Sequence, residues 1–296
     1  MQLPSPTTCL PFSALKNIGR FGLLSLVLIS NPALPLSAQD APPTPAKPFV
    51  IPPDINGNQT IVAAPQAARP VRIAIYEGPG SGGSGIDNVE ARALQLAGAS
   101  VTRLTPAEVG ETDLSGRFDI IVFSGGSGSR QGNSIGEAGR ANVREFVRNG
   151  GGYLGVCAGA YLACTNYEWS LGILDARTVS SKWRRGQAFL DLQLDSAGKE
   201  IFGPVNQTFK VRYNNGPILM PSGRDDIPDY TSVSTFLTEI AKNDSPVGIQ
   251  VGSPSMAIGT FGKGRVFVSS PHPENTPGLE HIIPRAILWA VGGPTD

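Results

Sequence analysis

From residue 71 onward, two patterns of apolar residues alternate along the chain. Short apolar runs predict buried strands, and runs with apolar residues three or four apart predict helices. The predicted strands are VRIAIY (71–76), ASVTRL (99–104), FDIIVF (118–123) and GYLGV (152–156), and the predicted helices are IDNVEARALQLAG (86–98) and ANVREFVRNGG (141–151). This alternation predicts an α/β fold with a parallel sheet, helices on both faces, and ligand sites at the carboxyl ends of the strands.

The second half of the chain changes character. Strands joined by turns are predicted at GQAFLDLQL (186–194), TFKVRYNNGP (208–217), SVSTFLTEIA (232–241) and SMAIGTFGKGRVFVSS (255–270), with GKGR as a hairpin turn. Because little helix separates these strands, we expect antiparallel additions to the same sheet. A final amphipathic helix at 278–292 is expected to cover it. Neither an internal repeat nor a second domain is evident.

The amino-terminal pattern is that of an export signal. Lys16 and Arg20 precede an apolar run at 21–30, and a small-residue LSA follows at 36–38. The run is shorter than the roughly 20 residues that cross a bilayer, so a signal peptide at 1–38 is favoured over a permanent membrane span. A Pro-rich extended tether is predicted at 39–68, and one domain at 69–296. We therefore expect a periplasmic or secreted protein, with retention of the segment as an anchor as the alternative.

Composition narrows the choice of partners. The chain has 296 residues, is 40% apolar and has a formal net charge of +0. Nothing in this balance favours nucleic acid or an anionic membrane. No His, Cys and Asp cluster has metal-ligand spacing, so no metal or cofactor is expected. GPGSGG (78–83) fits a dinucleotide motif but lacks the acidic residue expected after the second strand. SKWRRG (181–186) is predicted to be a solvated loop, with docking of a substrate carboxylate as the alternative.

Two cysteines remain after removal of a signal that contains Cys9. In an oxidising compartment, a disulfide between Cys157 and Cys164 is the default expectation. If the intervening segment is helical, however, the two Cα atoms lie roughly 10 Å apart, beyond the reach of a disulfide. We therefore expect two free thiols, with Cys164 a small buried apolar side chain.

Cys157 has the sequence context of a nucleophile. Gly155, Cys157 and Gly159 form G-x-C-x-G between a strand and a helix, the arrangement of a nucleophile elbow. The helix that follows is expected to direct amide N–H groups at the sulfur and to favour the thiolate. A buried cysteine in a glycine-rich turn is the alternative.

The chain contains two histidines, and these are the candidates for the general base that would activate Cys157. His281 lies in the last predicted helix and is expected at the surface. His272 follows the strand VFVSS and lies between two prolines, which restricts its backbone to extended geometry. In an extended segment Glu274 faces the same way as His272. The sequence thus predicts Cys157 as nucleophile, His272 as general base and Glu274 as the group that orients the imidazole.

An acyl-transfer site also requires donors for the oxyanion. The backbone N–H of Ala158 is one candidate, because this residue follows the nucleophile. Gly125 and Gly126, at the end of the strand that ends in FSGG, offer a second. The glycine loop after the first strand is expected to line the same cleft, because that strand should end on the same side of the sheet.

These motifs resemble known families. The cysteine elbow, the upstream Gly-Gly and the downstream His-Pro-Glu resemble the class I glutamine amidotransferase-like fold, which implies a flavodoxin-like three-layer sandwich, mostly parallel with antiparallel additions. YEGPG (76–80), GGGYLGVCAGAYLA (150–163), YNNGP (213–217) and SPHPE (270–274) resemble more closely the biotin-protein ligase N-terminal domain family, over 71–291. The resemblance implies substrate contacts at Tyr161, Gly80, Asn214 and Asn215. Tyr161 replaces the Gln of G-x-C-x-G-x-Q in glutaminases, which argues against ordinary glutaminase activity.

Three functions fit these observations. The leading hypothesis is an exported cysteine-dependent amidase or acyl-transfer hydrolase that acts on a small-molecule or peptide-like amide through a thioester. An unidentified protein partner is conceivable under it, because amidotransferases often deliver ammonia to a second subunit. The alternative is a non-catalytic module that binds a ligand or partner in the same cleft. A thiol-based redox role comes third, because no resolving cysteine lies within reach of Cys157.

Overall fold

A nine-stranded sheet organises the folded part of the chain, and its two halves pair differently. The computed structural model describes residues 55–56, 67–179, 184–203, 206 and 208–293. The strand order is β2-β1-β3-β4-β11-β10-β9-β6-β7. The first five strands in this order pair in parallel. The remaining four are joined by antiparallel pairings. β5 and β8 form a separate antiparallel ribbon.

The strands that the structure describes are β1 (Arg72–Tyr76), β2 (Ser100–Leu104), β3 (Ile120–Phe123), β4 (Gly152–Val156), β5 (Ala176–Thr178), β6 (Gln187–Leu194), β7 (Thr208–Asn214), β8 (Leu219–Pro221), β9 (Thr231–Phe236), β10 (Pro254–Phe261) and β11 (Gly264–Ser269). The helices are α1 (Gly83–Ala93), α2 (Pro106–Glu111), α3 (Leu114–Arg117), α4 (Gly128–Ser134), α5 (Gly136–Arg148), α6 (Ala158–Ala163), α7 (Ser196–Phe202) and α8 (Ile282–Ala290), with a 3-10 helix at Pro273–Asn275.

Alternation along the strands separates two cores, one on each face of the sheet. In β1, Ile73 and Ile75 belong to one core, together with the buried faces of α1, α7 and α8. Ala74 and Tyr76 point the other way, into a core shared with α2, α3, α5 and α6. Successive side chains of a strand alternate between faces. The result is a three-layer α/β sandwich, which confirms the predicted fold class.

The antiparallel half curls back toward the centre of the sheet. β7 lies four strands beyond β11 in the sheet order. Even so, Arg212 of β7 forms an isolated antiparallel bridge with His272, which follows β11. The His272 N–H donates to the Arg212 carbonyl at 2.8 Å. The carboxyl end of β7 therefore lies at the carboxyl ends of the parallel strands.

Most predicted elements are present, with instructive differences. α5 begins at Gly136 and α8 begins at Ile282. α7 was not predicted, and β11 is antiparallel to β10 as expected but also pairs in parallel with β4, which was not predicted. Pairing sense depends on which distant strand is adjacent, which local spacing does not specify. The predicted GKGR turn is confirmed by the hairpin between β10 and β11, where Gly262 has φ 61°.

Most of the predicted signal peptide and tether lies outside the described residues. Asn56 is described, and its side chain bonds to the edge strand β7. Its amide oxygen accepts from the Lys210 N–H at 2.7 Å, and its amide nitrogen donates to the carbonyls of Lys210 at 2.9 Å and Pro277 at 2.8 Å. Among the described residues, no helix is both long and apolar enough to span a membrane.

Candidate active site

Cys157 occupies a sharp turn between β4 and α6. Its backbone has φ 51° and ψ −93°, an unfavourable conformation for a residue with a Cβ. The flanking glycines are required by close packing. A Cβ on Gly155 would lie 2.5 Å from the backbone of Gly159, and a Cβ on Gly159 would overlap the carbonyl oxygen of Phe123. These features are those of a nucleophile elbow.

The pairing of β4 with β11 brings His272 to the same cavity as Cys157. The two strands are parallel neighbours, with Val156 opposite Ser269. The N–H of Cys157 donates to the Ser269 carbonyl at 2.7 Å. Because both strands end at the same edge of the sheet, the residues that follow them, Cys157 and His272, face one cavity.

His272 is held by Glu274. The imidazole Nδ1 lies 2.7 Å from Glu274 Oε1, and the Glu274 side chain is fully buried. The prolines do not keep this segment extended as predicted. Residues Pro273–Asn275 form a 3-10 helix, since the fixed φ of Pro273 suits the first position of a helical turn. The contact between His272 and Glu274 therefore forms across a 3-10 turn and not along an extended segment.

The environment of His272 favours its protonated form. Burial by itself would lower the pKa of the imidazole, but the Glu274 carboxylate and Cys157 outweigh that effect and raise the pKa to about 10. The second ring nitrogen, Nε2, is buried without a hydrogen-bond partner among the described residues. It is therefore available to exchange a proton with a group in the cavity.

The curled edge strand supplies another wall of the site. The Cys157 thiol donates to the backbone carbonyl of Asn214 at 3.4 Å. Asn215 has a left-handed backbone with φ 56°. Its carbonyl accepts from the Tyr161 hydroxyl at 3.1 Å, and its side-chain oxygen accepts from the Gly186 N–H at 2.7 Å. This turn is thus fixed directly against the cysteine and Tyr161.

The two candidate oxyanion glycines have different surroundings. Gly126 lines the cavity. Gly125 lies against the imidazole, where a Cβ would come within 2.7 Å of His272 Cε1. Gly80 does not line the cavity. Its carbonyl accepts from the Ser127 N–H at 2.7 Å, so the loop after β1 supports the glycine turn from behind. Ala158 is the first residue of α6, directly after the nucleophile.

A cavity of about 370 Å³ opens over the cysteine. Its lining includes the predicted residues Cys157, His272, Tyr161, Asn214, Asn215 and Gly126. It also includes residues that sequence reasoning missed, namely Ser127, Gly128, Ser129, Tyr167 and Trp169. The sequence YEW (167–169) shortly after α6 contains two aromatic residues, and this was the one pattern that could have pointed to Tyr167 and Trp169.

Comparison with known proteins identifies the family. The model of the family described as "Biotin-protein ligase, N terminal" matches residues 71–285. The chain belongs to this family. The match runs from β1 into α8 and includes the elbow, the His272 segment and the β7 turn, so the whole candidate site lies within the biotin-protein ligase N-terminal domain.

Solved structures show how this domain relates to other folds. The structure of PurLQS from Thermotoga maritima is similar over 75% of this chain and 98% of that chain, with a TM-score of 0.51 and 15% identity. A glutamine amidotransferase is similar over 74% of this chain and 98% of that chain, with a TM-score of 0.49 and 16% identity. At 15% identity, the likeness to PurLQS shows a shared fold alone.

A curated protein from Chlamydia muridarum (strain MoPn / Nigg) is 36% identical over 50 residues. The match spans 17% of this chain and 19% of that protein, so the chain covers about a fifth of that relative.

The second cysteine and second histidine of the domain are both buried away from the cavity lining. Both cysteines are free, as predicted. Burial raises the pKa of the Cys164 thiol to about 12. The surface position predicted for His281 is wrong. This residue is 4% exposed, and burial together with Arg285 lowers its pKa to about 4. It directly precedes α8, and its side chain makes no capping hydrogen bond.

The expectation for SKWRRG is also corrected in part. Residues 181–183 lie outside the described residues, but Arg185 is 2% exposed, not solvated. Its guanidinium lies 3.5 Å from Glu239, an ion pair that permits burial of the charge. Among the described residues, no group of His, Cys, Asp and Glu is arranged to hold a metal ion.

Proposed function

We propose that this domain is a cysteine-dependent amidase or acyl-transfer hydrolase. The observation that carries the proposal is the convergence of Cys157, on a strained elbow, with the buried His272 and Glu274 pair at one cavity. Titratable groups with strongly perturbed surroundings, such as a buried carboxylate beside an imidazole whose pKa is raised, cluster at catalytic sites. We also propose that the protein is exported, on the basis of the amino-terminal pattern.

The first half of the reaction would form a thioester. The imidazolium of His272 stabilises the Cys157 thiolate, which attacks the carbonyl carbon of an amide. The sulfur–carbon bond forms, and the carbonyl electrons move to oxygen. When the tetrahedral intermediate collapses, the carbon–nitrogen bond breaks, and the imidazolium transfers its proton to the departing amine. Glu274 holds the ring orientation and stays ionised throughout.

The second half would regenerate the enzyme. The neutral His272 removes a proton from water, or from another acceptor nucleophile, and the oxygen attacks the thioester. The carbon–sulfur bond then breaks, which releases a carboxylic acid and returns the thiolate and imidazolium. In both halves, negative charge on the former carbonyl oxygen would be stabilised by the N–H groups of Ala158 and Gly126.

Ordinary glutaminase activity is not part of this proposal. Tyr161 stands where glutaminases of this fold carry a substrate-gripping Gln, and its hydroxyl is already bonded to the Asn215 carbonyl. The ring therefore occupies part of the space beside the nucleophile. A different amide is the better substrate candidate.

The proposal is tested with a panel of primary amides and detection of released ammonia, with the acyl-enzyme monitored by intact-protein mass spectrometry. We expect turnover by the wild-type chain and its loss in Cys157→Ala and His272→Ala. Cys164→Ala is the matched control, because Cys164 is buried away from the cavity, and it should retain activity. Turnover in Cys157→Ala equal to the wild type would refute the thioester mechanism. Tight ligand binding without any turnover would instead favour a non-catalytic binding module.

A further inference from the structure

The cavity over Cys157 has an aromatic wall, formed by Tyr161, Tyr167 and Trp169. The Tyr167 and Trp169 rings are stacked, with centroids 4.5 Å apart and planes inclined by 11°. Tyr161 and Tyr167 have centroids 6.4 Å apart. All three side chains are partly exposed, and all three line the cavity. The wall runs from the residue beside the nucleophile to the cavity rim.

The wall is held in a fixed position. The Tyr167 hydroxyl shares a hydrogen bond of 2.7 Å with Thr178 Oγ1. The Trp169 ring packs against α4, where a Cβ on Gly128 would lie 3.1 Å from its Cζ3 atom. A preorganised aromatic surface binds a flat group without first losing side-chain freedom.

Apart from His272 and Cys157, the rest of the cavity lining that the structure describes is polar and carries no charged side chain. Among the described residues that line it there is no Asp, Glu, Lys or Arg. The polar groups are the Ser127 and Ser129 hydroxyls, which lie 3.3 Å apart, and the side-chain amides of Asn214 and Asn215. A free amino acid such as glutamine would bring an ammonium and a carboxylate, and no Asp, Glu, Lys or Arg among the described lining residues is present to pair with them, which is unfavourable.

We infer that the substrates are neutral amides whose acyl part carries an aromatic ring that stacks on this wall. The inference rests on the proposed function, because it assigns the acyl carbon to Cys157. The ring would lie along Tyr167 and Trp169, with the amide carbonyl toward Gly126. The cavity volume lies within the range of small-ligand pockets, roughly 300–1,000 Å³.

Binding and chemistry are measured separately. Ligand-observed NMR titration of the full-length Cys157→Ala chain compares phenylacetamide with propionamide, L-glutamine and N-acetylglucosamine. We expect phenylacetamide to bind about tenfold or more tightly than propionamide, because only the former has a ring to stack. Glutamine should bind no more tightly than propionamide. Equal affinity for the two neutral amides, or tighter binding of glutamine or of the sugar, would overturn the inference.

The wall itself is tested by Trp169→Ala in the same background. Affinity for phenylacetamide should fall about three- to tenfold, with propionamide unchanged, and Trp169→Phe should restore binding to within about twofold. A fall for both amides would mean that Trp169 supports the fold and not the ligand. The comparison of phenylacetamide with propionamide in Cys157→Ala would then still decide the inference, because the aromatic wall is unchanged in that variant.

The two hypotheses fail in different ways. If phenylacetamide binds selectively to Cys157→Ala but the wild-type chain hydrolyses no amide, the proposed function is wrong and the ligand class stands. If the wild-type chain hydrolyses propionamide or glutamine at least as well as phenylacetamide, the function stands and the inference is wrong.

Discussion

The backbone N–H of Cys157 donates to the carbonyl of Ser269 at 2.7 Å. This bond joins the first residue after β4 to the last residue of β11 and so continues the parallel pairing of the two strands. It fixes the elbow relative to the chain that leads to His272. Cys157 and His272 are thus positioned by backbone pairing in the centre of the sheet, which is more rigid than a pair of surface loops.

Iodoacetamide should distinguish the two cysteines of the domain. Cys157 lines the cavity, whereas Cys164 is completely buried with its pKa raised to about 12. The His272 imidazolium, with its pKa raised to about 10, should stabilise negative charge on the Cys157 sulfur and so favour alkylation. Peptide mapping after labelling of the full chain should find the adduct on Cys157, and His272→Ala should slow that reaction. Comparable labelling of Cys164 would contradict the cavity geometry.

Glu274→Gln should lower the pKa of His272. The carboxylate opposes the effect of burial and raises the pKa, so its replacement by a neutral amide leaves burial less opposed. NMR titration of the imidazole resonances measures this directly, since the chain has only two histidines. If the proposed function is right, turnover should fall roughly a thousandfold.

Glu280→Gln is the matched control for this measurement. It removes a carboxylate beside the other histidine, and the Glu280 side chain is 25% exposed. The His272 titration should be unchanged in this variant. An unchanged His272 pKa in Glu274→Gln would show that the carboxylate is not the group that favours the imidazolium.

Gly159→Ala should destabilise the fold by about 3 kcal/mol or more, at the upper end of overpacking effects. The added methyl group would overlap the Phe123 carbonyl, and both residues belong to the rigid centre of the sheet and elbow. Gly83→Ala is the control, because a Cβ there meets nothing within 4 Å. It lies in α1, so alanine should be neutral or slightly stabilising. Denaturant unfolding of both variants checks the difference, and equal midpoints would contradict the packing.

Stability should decline in acid because of His281. Its pKa is lowered from 6.5 to about 4 by burial and by Arg285, so the unfolded chain binds a proton more readily than the folded chain. Above pH 6.5, His281 is neutral in both states and does not reduce the free energy of unfolding. As the pH falls from 6.5 toward 4, the unfolded chain takes up the proton first, and the free energy of unfolding decreases. The shift corresponds to on the order of 3 kcal/mol. His281→Phe should flatten the pH dependence of unfolding in this range, and an undiminished acid slope in that variant would assign the effect elsewhere.

Local chemistry made much of the candidate site predictable. The G-x-C-x-G motif requires a tight turn between strand and helix, and the structure gives Cys157 a positive φ. The pairing of His272 with Glu274 was also anticipated, although the segment is a 3-10 helix. Such features depend on residues only a few positions apart, so their signals survive in the sequence alone.

Other parts of the site depend on contacts between distant segments. The sequence did not indicate that β7 curls back to place the Asn214 carbonyl beside the cysteine, or that Tyr167 and Trp169 face it. It also placed His281 at the surface, where the structure buries it.

The sequence by itself thus determined the βαβ rhythm, the elbow at Cys157 and the pairing of His272 with Glu274, because the steric limits on glycine turns, the periodicity of apolar residues and contacts between near neighbours act locally. Only the tertiary structure decided that β11 lies parallel to β4, that the edge strand forms a wall of the cavity, and that three aromatic side chains line that cavity. Those outcomes follow from packing two apolar faces of a twisted sheet against helices. That packing is a property of the whole chain and not of any short segment.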